Sequence, residues 1–361
     1  MKRQIRTILP FFIPMEGCPH RCIYCDQSSI SGYDHSPSPS QIACAAMENR
    51  GGEDAEIAFY GGSFSCLPLE RQAAYLDAVQ PALAAGCWQG VRISTRPDGV
   101  DGAELDFLAA KGVTTIELGI QSFDAGVLRR AGRGYGPEQA VAACRLIRSR
   151  GFALGIQLMT GLPGDDREKS LATAAITRSL APDVIRLYPT VVLAGTPLAE
   201  AWRRGDYQPQ TVEEAAALAG DMLALFQAAD LTVIRLGLNP NPQTEKALLA
   251  GPYHPAFGHI VKSRLKYLQA RALLQRAAWK KPAVLQYPPA DLPLLAGQKN
   301  RGLLALRREY PDLRLQEADI ERGTLILRWK GGEAVSTYRR FLEDYTAGFP
   351  PCPRREADIP N

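Results

Sequence analysis

Short runs rich in β-branched and aromatic residues alternate with amphipathic stretches from the N-terminus to about residue 238. Six strands that are each followed by a helix favour a parallel sheet with right-handed crossovers. An open doubly wound sheet and a barrel both fit this alternation. The predicted strands are Ile5–Ile13, Glu56–Tyr60, Val91–Thr95, Thr115–Gly119, Ala153–Met159 and Asp183–Pro189. The predicted helices are Gln41–Arg50, Leu69–Ala84, Ala103–Lys111, Gly136–Arg150, Arg167–Leu180 and Thr211–Ala229.

The unusual residues of the chain fall just after the predicted strands. In a (β/α) barrel, the loops at the carboxyl ends of the strands form the active-site face. This placement favours an α/β fold with a partial (β/α)6 TIM-like barrel. The segments concerned are GCPHRC at 17–22, Gly61–Ser63, Thr95–Pro97, Gln121–Ser122 and Gly161–Gly164.

The character of the sequence changes after Asn239–Pro242, where two prolines in four residues mark a boundary. We therefore predict a barrel domain over residues 1–240 and a small α+β extension over residues 241–361. The extension is predicted to contain helices at Ala256–Arg276 and Gln298–Glu309, and strands at Ala283–Tyr287, Leu313–Gln316 and Thr324–Trp329.

The extension is strongly basic. Between Ile260 and Tyr310 the sequence has eleven Lys or Arg residues and only two acidic residues, Asp291 and Glu309. A surface so one-sided is suited to phosphate groups. Solvated helix faces also carry runs of charge, so RNA binding by this region is one of two interpretations.

The composition is that of a globular protein, with 46% hydrophobic and 22% charged residues and a net charge of +4. No apolar run reaches the ~18 residues that a membrane span requires. Five of the eight cysteines are scattered without partner spacing, so we expect no disulfide framework. These features predict a protein of the reducing cytoplasm that has no membrane partner.

The other three cysteines, Cys18, Cys22 and Cys25, lie within the stretch GCPHRCIYCD at residues 17–26. Three thiolates on one tight loop can bind three irons of a cubane cluster and leave the fourth iron open. A structural zinc site that adds His20 or His35 is an alternative, although zinc ligands usually come as two separated pairs. A simple electron-carrying cluster is another, and would normally have a fourth cysteine.

The loop GCPHRCIYC resembles the cluster-binding loop of the radical S-adenosylmethionine (SAM) enzymes, whose pattern is C-x3-C-x-aromatic-C, with Tyr24 at the aromatic position. The segment FYGGS at 59–63 resembles the glycine motif of that family. This likeness implies that Gly61, Gly62 and Ser63 receive the methionine amino group of SAM, because a residue without Cβ lets a ligand approach the backbone closely.

Further segments carry the same resemblance. ELGIQS at 117–122 is similar to the fourth-strand motif, which implies that Gln121 reaches the ribose of SAM. Arg133 stands where relatives have an arginine that meets the methionine carboxylate. GIQLM at 155–159, followed by GLPG, resembles the segment that lies along the adenine and implies a contact from Met159.

STRPD at 94–98, IRLYPT at 185–190 and AGPYHPA at 250–256 are most similar to the radical SAM portion of the Elongator catalytic subunit and its bacterial relatives. The oxygen-independent coproporphyrinogen oxidases are more distantly similar. Arg96 in the first segment is suited to bidentate pairing with a carboxylate. Ser94 departs from the pattern, since many relatives have a glutamate there in contact with SAM. We also expect no acetyltransferase domain within these 361 residues.

The resemblance implies an Elongator-like enzyme with one [4Fe-4S] cluster that cleaves SAM to a 5′-deoxyadenosyl radical. We expect SAM, an RNA and an electron donor such as flavodoxin or ferredoxin as partners. The motifs leave the substrate, and the residues that act on it, open. Two alternatives remain, namely a porphyrinogen oxidase-like decarboxylase and a non-catalytic, metal-stabilised RNA-binding module.

Overall fold

A computed structural model of the protein describes residues 7–52, 54–277 and 279–351. The strands are β1 Thr7–Phe12, β2 Ala55–Tyr60, β3 Val91–Thr95, β4 Val113–Gln121, β5 Ala153–Thr160, β6 Val184–Pro189, β7 Val192–Leu193, β8 Val233–Leu236, β9 Leu248–Ala250, β10 Ala283–Tyr287, β11 Leu313–Glu317, β12 Leu325–Trp329 and β13 Gly332–Ser336. The helices are α1 Gln27–Ser31, α2 Pro39–Glu48, α3 Leu69–Ala84, α4 Gly102–Ala110, α5 Ala125–Arg130, α6 Pro137–Ser149, α7 Arg167–Leu180, α8 Pro197–Arg203, α9 Val212–Ala228, α10 Pro242–Ala247, α11 Phe257–Arg276, α12 Leu292–Ala296, α13 Arg301–Glu309 and α14 Tyr338–Thr346.

The main sheet has seven parallel strands in the order β1-β2-β3-β4-β5-β6-β8. It curls into a partial barrel, which confirms the predicted fold class. The sequence predicted six strands, and β8 adds a seventh at the edge beyond β6. Four residues with an arginine among them give too weak a pattern to predict β8 alone. Of the predicted first strand, Ile5 and Arg6 lie outside the described residues.

The two faces of this sheet differ in chemistry. Its outer face carries Ile57, Phe59, Ile93 and Leu118, which pack with the surrounding helices in one large apolar core. Its inner face carries charged and hydroxyl side chains, among them the fully buried Glu117. Because strand residues alternate between faces, the apolar positions fix which polar residues line the lumen of the barrel.

Several helices begin where a polar side chain caps the first turn. Ser38 and Thr211 form capping boxes at α2 and α9, and Asp101 and Asp166 accept from backbone N–H groups at α4 and α7. Such caps satisfy donors that the first turn leaves open. None of the helices in the described parts of the chain is long and apolar enough to span a membrane.

The C-terminal part forms a second sheet in the order β11-β10-β12-β13, with its own apolar core. The predicted strands and helices of the extension are present, while α10, β9, α12, β13 and α14 were missed. Helix α11 contributes Val261 and Leu265 to the barrel core and Leu273 to the second core. Helix α14 also packs on the barrel core through Phe341. The division after residue 240 stays a prediction.

Candidate active site

Two loops at the carboxyl ends of β1 and β2 lock together through glycines. A Cβ on Gly17 would lie 2.2 Å from the Ser63 carbonyl oxygen, and one on Gly62 would lie 2.2 Å from the Glu16 carbonyl oxygen. The Ser63 N–H donates to the Glu16 carbonyl at 2.9 Å. The segment that holds the three cysteines therefore has a backbone path that only glycine permits at these two contacts.

The far side of the cysteine loop is held by α10. Asn241 caps that helix and donates from Nδ2 to the Ile30 carbonyl at 2.8 Å. Thr244 donates to the Ser29 carbonyl at 2.8 Å. Helix α1, which directly follows the cysteines, is thus tied to a segment more than two hundred residues away.

The three cysteine side chains have different neighbours. Cys18 Sγ lies 3.6 Å from Ser63 Oγ, Cys22 Sγ lies 2.9 Å from Arg133 Nη1, and Cys25 Sγ lies 3.5 Å from the Gln27 side-chain nitrogen. Burial, followed by the nearby thiols of Cys22 and Cys18, raises the pKa of Cys25 to about 12. Deprotonation of the Cys25 thiol therefore requires positive charge close by.

No three His, Cys, Asp or Glu side chains converge on the position of one metal ion in residues 7–52, 54–277 and 279–351. The zinc alternative with His20 or His35 stays a prediction. A cubane differs from a single ion, because each cysteine binds a different iron and the sulfurs need not meet at one point.

Two buried arginines surround Cys22. Arg133 donates to Cys22 Sγ, to the Tyr24 hydroxyl at 3.2 Å and to the Gly119 carbonyl. Arg96 holds Asp98 bidentately, with both N–O distances at 2.9 Å, and has Nη1 3.9 Å from Cys22 Sγ. The structure thus brings Tyr24, Arg96 and Arg133 together at the cysteine loop, although more than a hundred residues separate Arg133 from Cys22.

Gln121 ends β4 in a strained conformation. Its φ of 71° lies in the left-handed region, and the pairing of β4 with β5 shifts register between Gly119 and Gln121. The side chain is buried, and its Oε1 has no hydrogen-bond partner among the residues that the structure describes. Strain combined with an unpaired buried oxygen is typical of a position that awaits a polar ligand.

Ser94 and Met159 lie on neighbouring parts of the lumen. Ser94 Oγ accepts from the Gln157 side chain at 3.1 Å. Met159 packs against a small apolar cluster that contains Cys22, Tyr24 and Leu162. Gly61, with φ of 96°, turns the chain out of β2 beside Gly62. The structure therefore collects all twelve predicted site residues at one end of the barrel and its upper lumen.

Sequence reasoning missed most of a charged network inside the barrel. Glu117 accepts from Arg92 at 2.7 Å, from Arg186 at 2.7 and 3.1 Å, from Gln157 at 2.9 Å and from the Tyr60 hydroxyl at 3.1 Å. Burial by itself would raise the pKa of Glu117, but the charges of Arg186 and Arg92 lower it to about 2. The available signal was the single charged residue within otherwise apolar strands.

The predicted basic surface of the extension is smaller than its sequence indicates. Acidic residues from elsewhere in the chain neutralise part of it, as Glu213 does for Arg301 and Asp312 does for Lys281. Lys266 is buried with Asp291. Within the described chain, six of the eleven cations lack a carboxylate partner: Lys262, Arg264, Lys280, Lys299, Arg307 and Arg308.

Comparison with known proteins is consistent with this geometry. The chain is 30% identical over 263 residues to the tRNA uridine(34) acetyltransferase of Methanocaldococcus jannaschii, which covers 59% of this chain and 49% of that protein. The acetyltransferase of the same name from Dehalococcoides mccartyi is 27% identical over 62% of this chain and 58% of its own length. This chain thus spans about half the length of these curated relatives.

An uncharacterized protein of Methanocaldococcus jannaschii is 31% identical over 59% of this chain and 71% of its own length. The solved structure of the archaeal Methanocaldococcus infernus Elp3 has a similar fold, with a TM-score of 0.58 and 22% identity over 75% of this chain and 64% of that one. Residues 12–175 match the Radical SAM superfamily, and residues 182–267 match the Radical_SAM C-terminal domain. The chain therefore belongs to the radical SAM superfamily, whose enzymes use a [4Fe-4S] cluster and SAM.

Proposed function

We propose that this radical SAM enzyme acts on an RNA, and that Cys18, Cys22 and Cys25 bind three irons of its [4Fe-4S] cluster. The main support for the cluster site is the contact of buried Arg133 with Cys22 Sγ at 2.9 Å. A guanidinium at that distance stabilises a thiolate, which is the form that binds metal. The residues therefore fit the cluster that the family uses.

The neighbouring residues fit SAM. The unpaired Oε1 of Gln121 can accept from a ribose hydroxyl. At the Gly61–Gly62 turn, the Gly61 and Ser63 carbonyls accept from the Met15 and Cys66 N–H groups, and each keeps a second lone pair for an ammonium. Arg133 supplies positive charge for a carboxylate, whereas the fork of Arg96 is occupied by Asp98 and leaves only Nη1 directed towards the cysteine loop. Tyr24 and Met159 provide apolar surface beside the cysteines, and Ser94 holds Gln157 below them.

When bound and reduced, the cluster supplies the electron that cleaves SAM to methionine and a 5′-deoxyadenosyl radical. The protein orients the cofactor and keeps water out. An RNA substrate is supported by the two curated relatives named for tRNA modification and by the six unpaired cations of the extension. We further propose a flavodoxin or ferredoxin as the electron donor. We also propose a cytoplasmic location, which fits the seven free thiols of the described residues.

The cluster assignment is tested by anaerobic reconstitution with iron and sulfide. We expect brown protein with about four irons per chain, which releases 5′-deoxyadenosine and methionine from SAM under dithionite. Cys25→Ala should lose the colour and the product, while Cys66→Ala, a thiol outside the loop, should retain both. A Cys25→Ala protein that still binds four irons and cleaves SAM would refute the assignment.

The RNA assignment is tested by replacing Lys280, Lys281, Arg307 and Arg308 with glutamine. Since Asp312 already pairs with Lys281, about three phosphate contacts are removed, and the slope of log K against log[salt] should become shallower by ~2 to 3. Replacing the ion-paired Arg148 and Arg150 is the control and should change the slope by less than ~1. Equal slopes for wild type and the quadruple variant would refute the proposal that the extension binds RNA.

A further inference from the structure

All charged residues of the seven barrel strands lie on the lumen face. They are Glu56 on β2, Arg92 on β3, Glu117 on β4, Arg186 on β6 and Arg235 on β8. Three cations and two anions leave the lumen with one excess positive charge. Even a half-buried charge loses part of its hydration, so the identity of the unbalanced group matters.

The two carboxylates, Glu56 and Glu117, already accept as many hydrogen bonds as their oxygens allow. Glu117 accepts hydrogen bonds from four side chains, as described above. Glu56 accepts from Arg92 at 2.9 Å and from the hydroxyls of Thr114 and Thr115 at 2.8 and 2.7 Å. Among the described residues, Arg235 therefore has no carboxylate, and its Nε donates only to the Gly237 carbonyl at 2.9 Å.

A β-bulge turns Arg235 into the lumen. Ile185 pairs with Val233, but the next residue, Arg186, pairs with Arg235, so Ile234 is the extra residue. Val233 packs on the same side as buried Ile185, and without the bulge Ile234 would face the lumen and Arg235 would face outward. Ile234 is instead 38% exposed. The strand thus exposes an isoleucine while it half-buries an arginine on the lumen side.

The result is a pair of guanidiniums on directly opposed positions of β6 and β8. Like charges at such positions are destabilising, and bulges that re-aim a side chain are common beside active sites. Burial has the largest effect on the pKa of Arg235 and lowers it; Tyr188 opposes this, and the charge of Arg186 lowers the pKa further. An oxyanion is the group that would relieve this arrangement.

We propose that Arg235, together with Tyr188 and Arg186, forms a subsite in the barrel lumen that binds an oxyanion of the substrate, either a phosphate or a carboxylate. Tyr188 is the strand neighbour of Met159, which packs with Cys22 and Tyr24. The subsite therefore lies one residue position from the wall of the candidate SAM site. This inference rests on the proposed function, because it assigns a negative charge to the part of the substrate that the radical SAM enzyme binds in the lumen.

Arginine modification in the full-length, cluster-reconstituted protein tests the subsite. Phenylglyoxal labelling followed by peptide mass spectrometry is run in chloride, inorganic phosphate or acetate at one ionic strength. We expect Arg235 to be labelled in chloride and to be protected at least five-fold by phosphate or by acetate. Protection by phosphate alone identifies a phosphate ester as the substrate group, and protection by acetate identifies a carboxylate.

Exposed Arg314 on β11, which belongs to the other sheet, is the internal control and should be labelled equally in all three salts. Arg235→Gln should abolish the shift in melting temperature that the protecting anion gives wild type relative to chloride. Equal protection of Arg235 and Arg314, or an Arg235 that does not react in chloride, would overturn the subsite. SAM cleavage by the same wild-type preparation is measured in parallel, so that a failure of the radical chemistry is seen separately.

Discussion

Replacement of Glu117 by glutamine removes one charge from the centre of the barrel and keeps the shape of the side chain. Glu117 is fully buried and joins β4 to β3 and β6 through Arg92 and Arg186. The amide of glutamine has one acceptor oxygen instead of two and adds donors that face two guanidiniums. Both arginines would then be buried with too little negative charge nearby.

The cost follows from the pKa of Glu117. Its lowering from 4.5 to about 2 shows that folding favours the charged form by about 3 kcal/mol. Loss of one partner from a buried ion pair typically costs ~3 to 5 kcal/mol, which agrees with this value. We therefore expect Glu117→Gln to reduce the free energy of unfolding by about 3 kcal/mol.

Urea unfolding followed by circular dichroism measures this change, with Glu213→Gln as the matched control. Glu213 also pairs with an arginine, Arg301, but both side chains are about 70% exposed, so the control should lose less than ~1 kcal/mol. The folded pKa of Glu117 lies below its unfolded value, so its contribution is complete above pH 4.5 and is lost as the pH falls towards 2. The gap between wild type and Glu117→Gln should therefore narrow below pH 4.5.

A Glu117→Gln protein as stable as the Glu213→Gln control would refute the view that this carboxylate balances the lumen. If the difference in unfolding free energy between wild type and Glu117→Gln stayed constant from pH 7 to pH 3.5, the charge-based explanation would be refuted. The effect would then come from the shape of the side chain alone. Either result would also weaken the oxyanion subsite, since that subsite depends on Glu117 being saturated by Arg92 and Arg186.

Two further substitutions test how the cysteine loop is held. Gly62→Ala would place a Cβ 2.2 Å from one backbone carbonyl oxygen and 2.8 Å from another. We therefore expect the free energy of unfolding to fall by ~1 to 3 kcal/mol and the iron content to fall as well. The control Gly348→Ala, whose Cβ would have nothing within 4 Å, should match wild type in both measurements. Asn241→Ala removes the cap of α10 and its bond to Ile30, at a cost of ~1 kcal/mol. Hydrogen exchange should then accelerate in Asp26–Ser31. The control Thr337→Ala, which removes the cap of α14, should leave exchange in that segment unchanged. Acceleration in both variants would contradict a specific link between α10 and α1.

The local features of this protein were predictable because they depend on residues close together in the chain. The spacing of Cys18, Cys22 and Cys25 needs only eight residues, and strand and helix periodicity needs only one element. The glycines of FYGGS were predicted to let SAM approach the backbone, which stays a prediction; at Gly62 the structure gives another reason for the missing Cβ, the Glu16 carbonyl. Short β8 and the C-terminal helix α14 were missed because their stability comes from their neighbours.

The sequence alone therefore determined the cysteine loop through its spacing, favoured the barrel class through the residues that follow the strands, and indicated the superfamily through the resemblance of short motifs. Only the tertiary structure decided which distant charges meet: Arg133 with Cys22, Glu117 with Arg92 and Arg186, and Glu213 with the basic extension. It also decided, through one bulge, that Arg235 faces the lumen. The physical reason is that a shift of one residue in strand register exchanges the two faces of a sheet, and no local pattern specifies that shift.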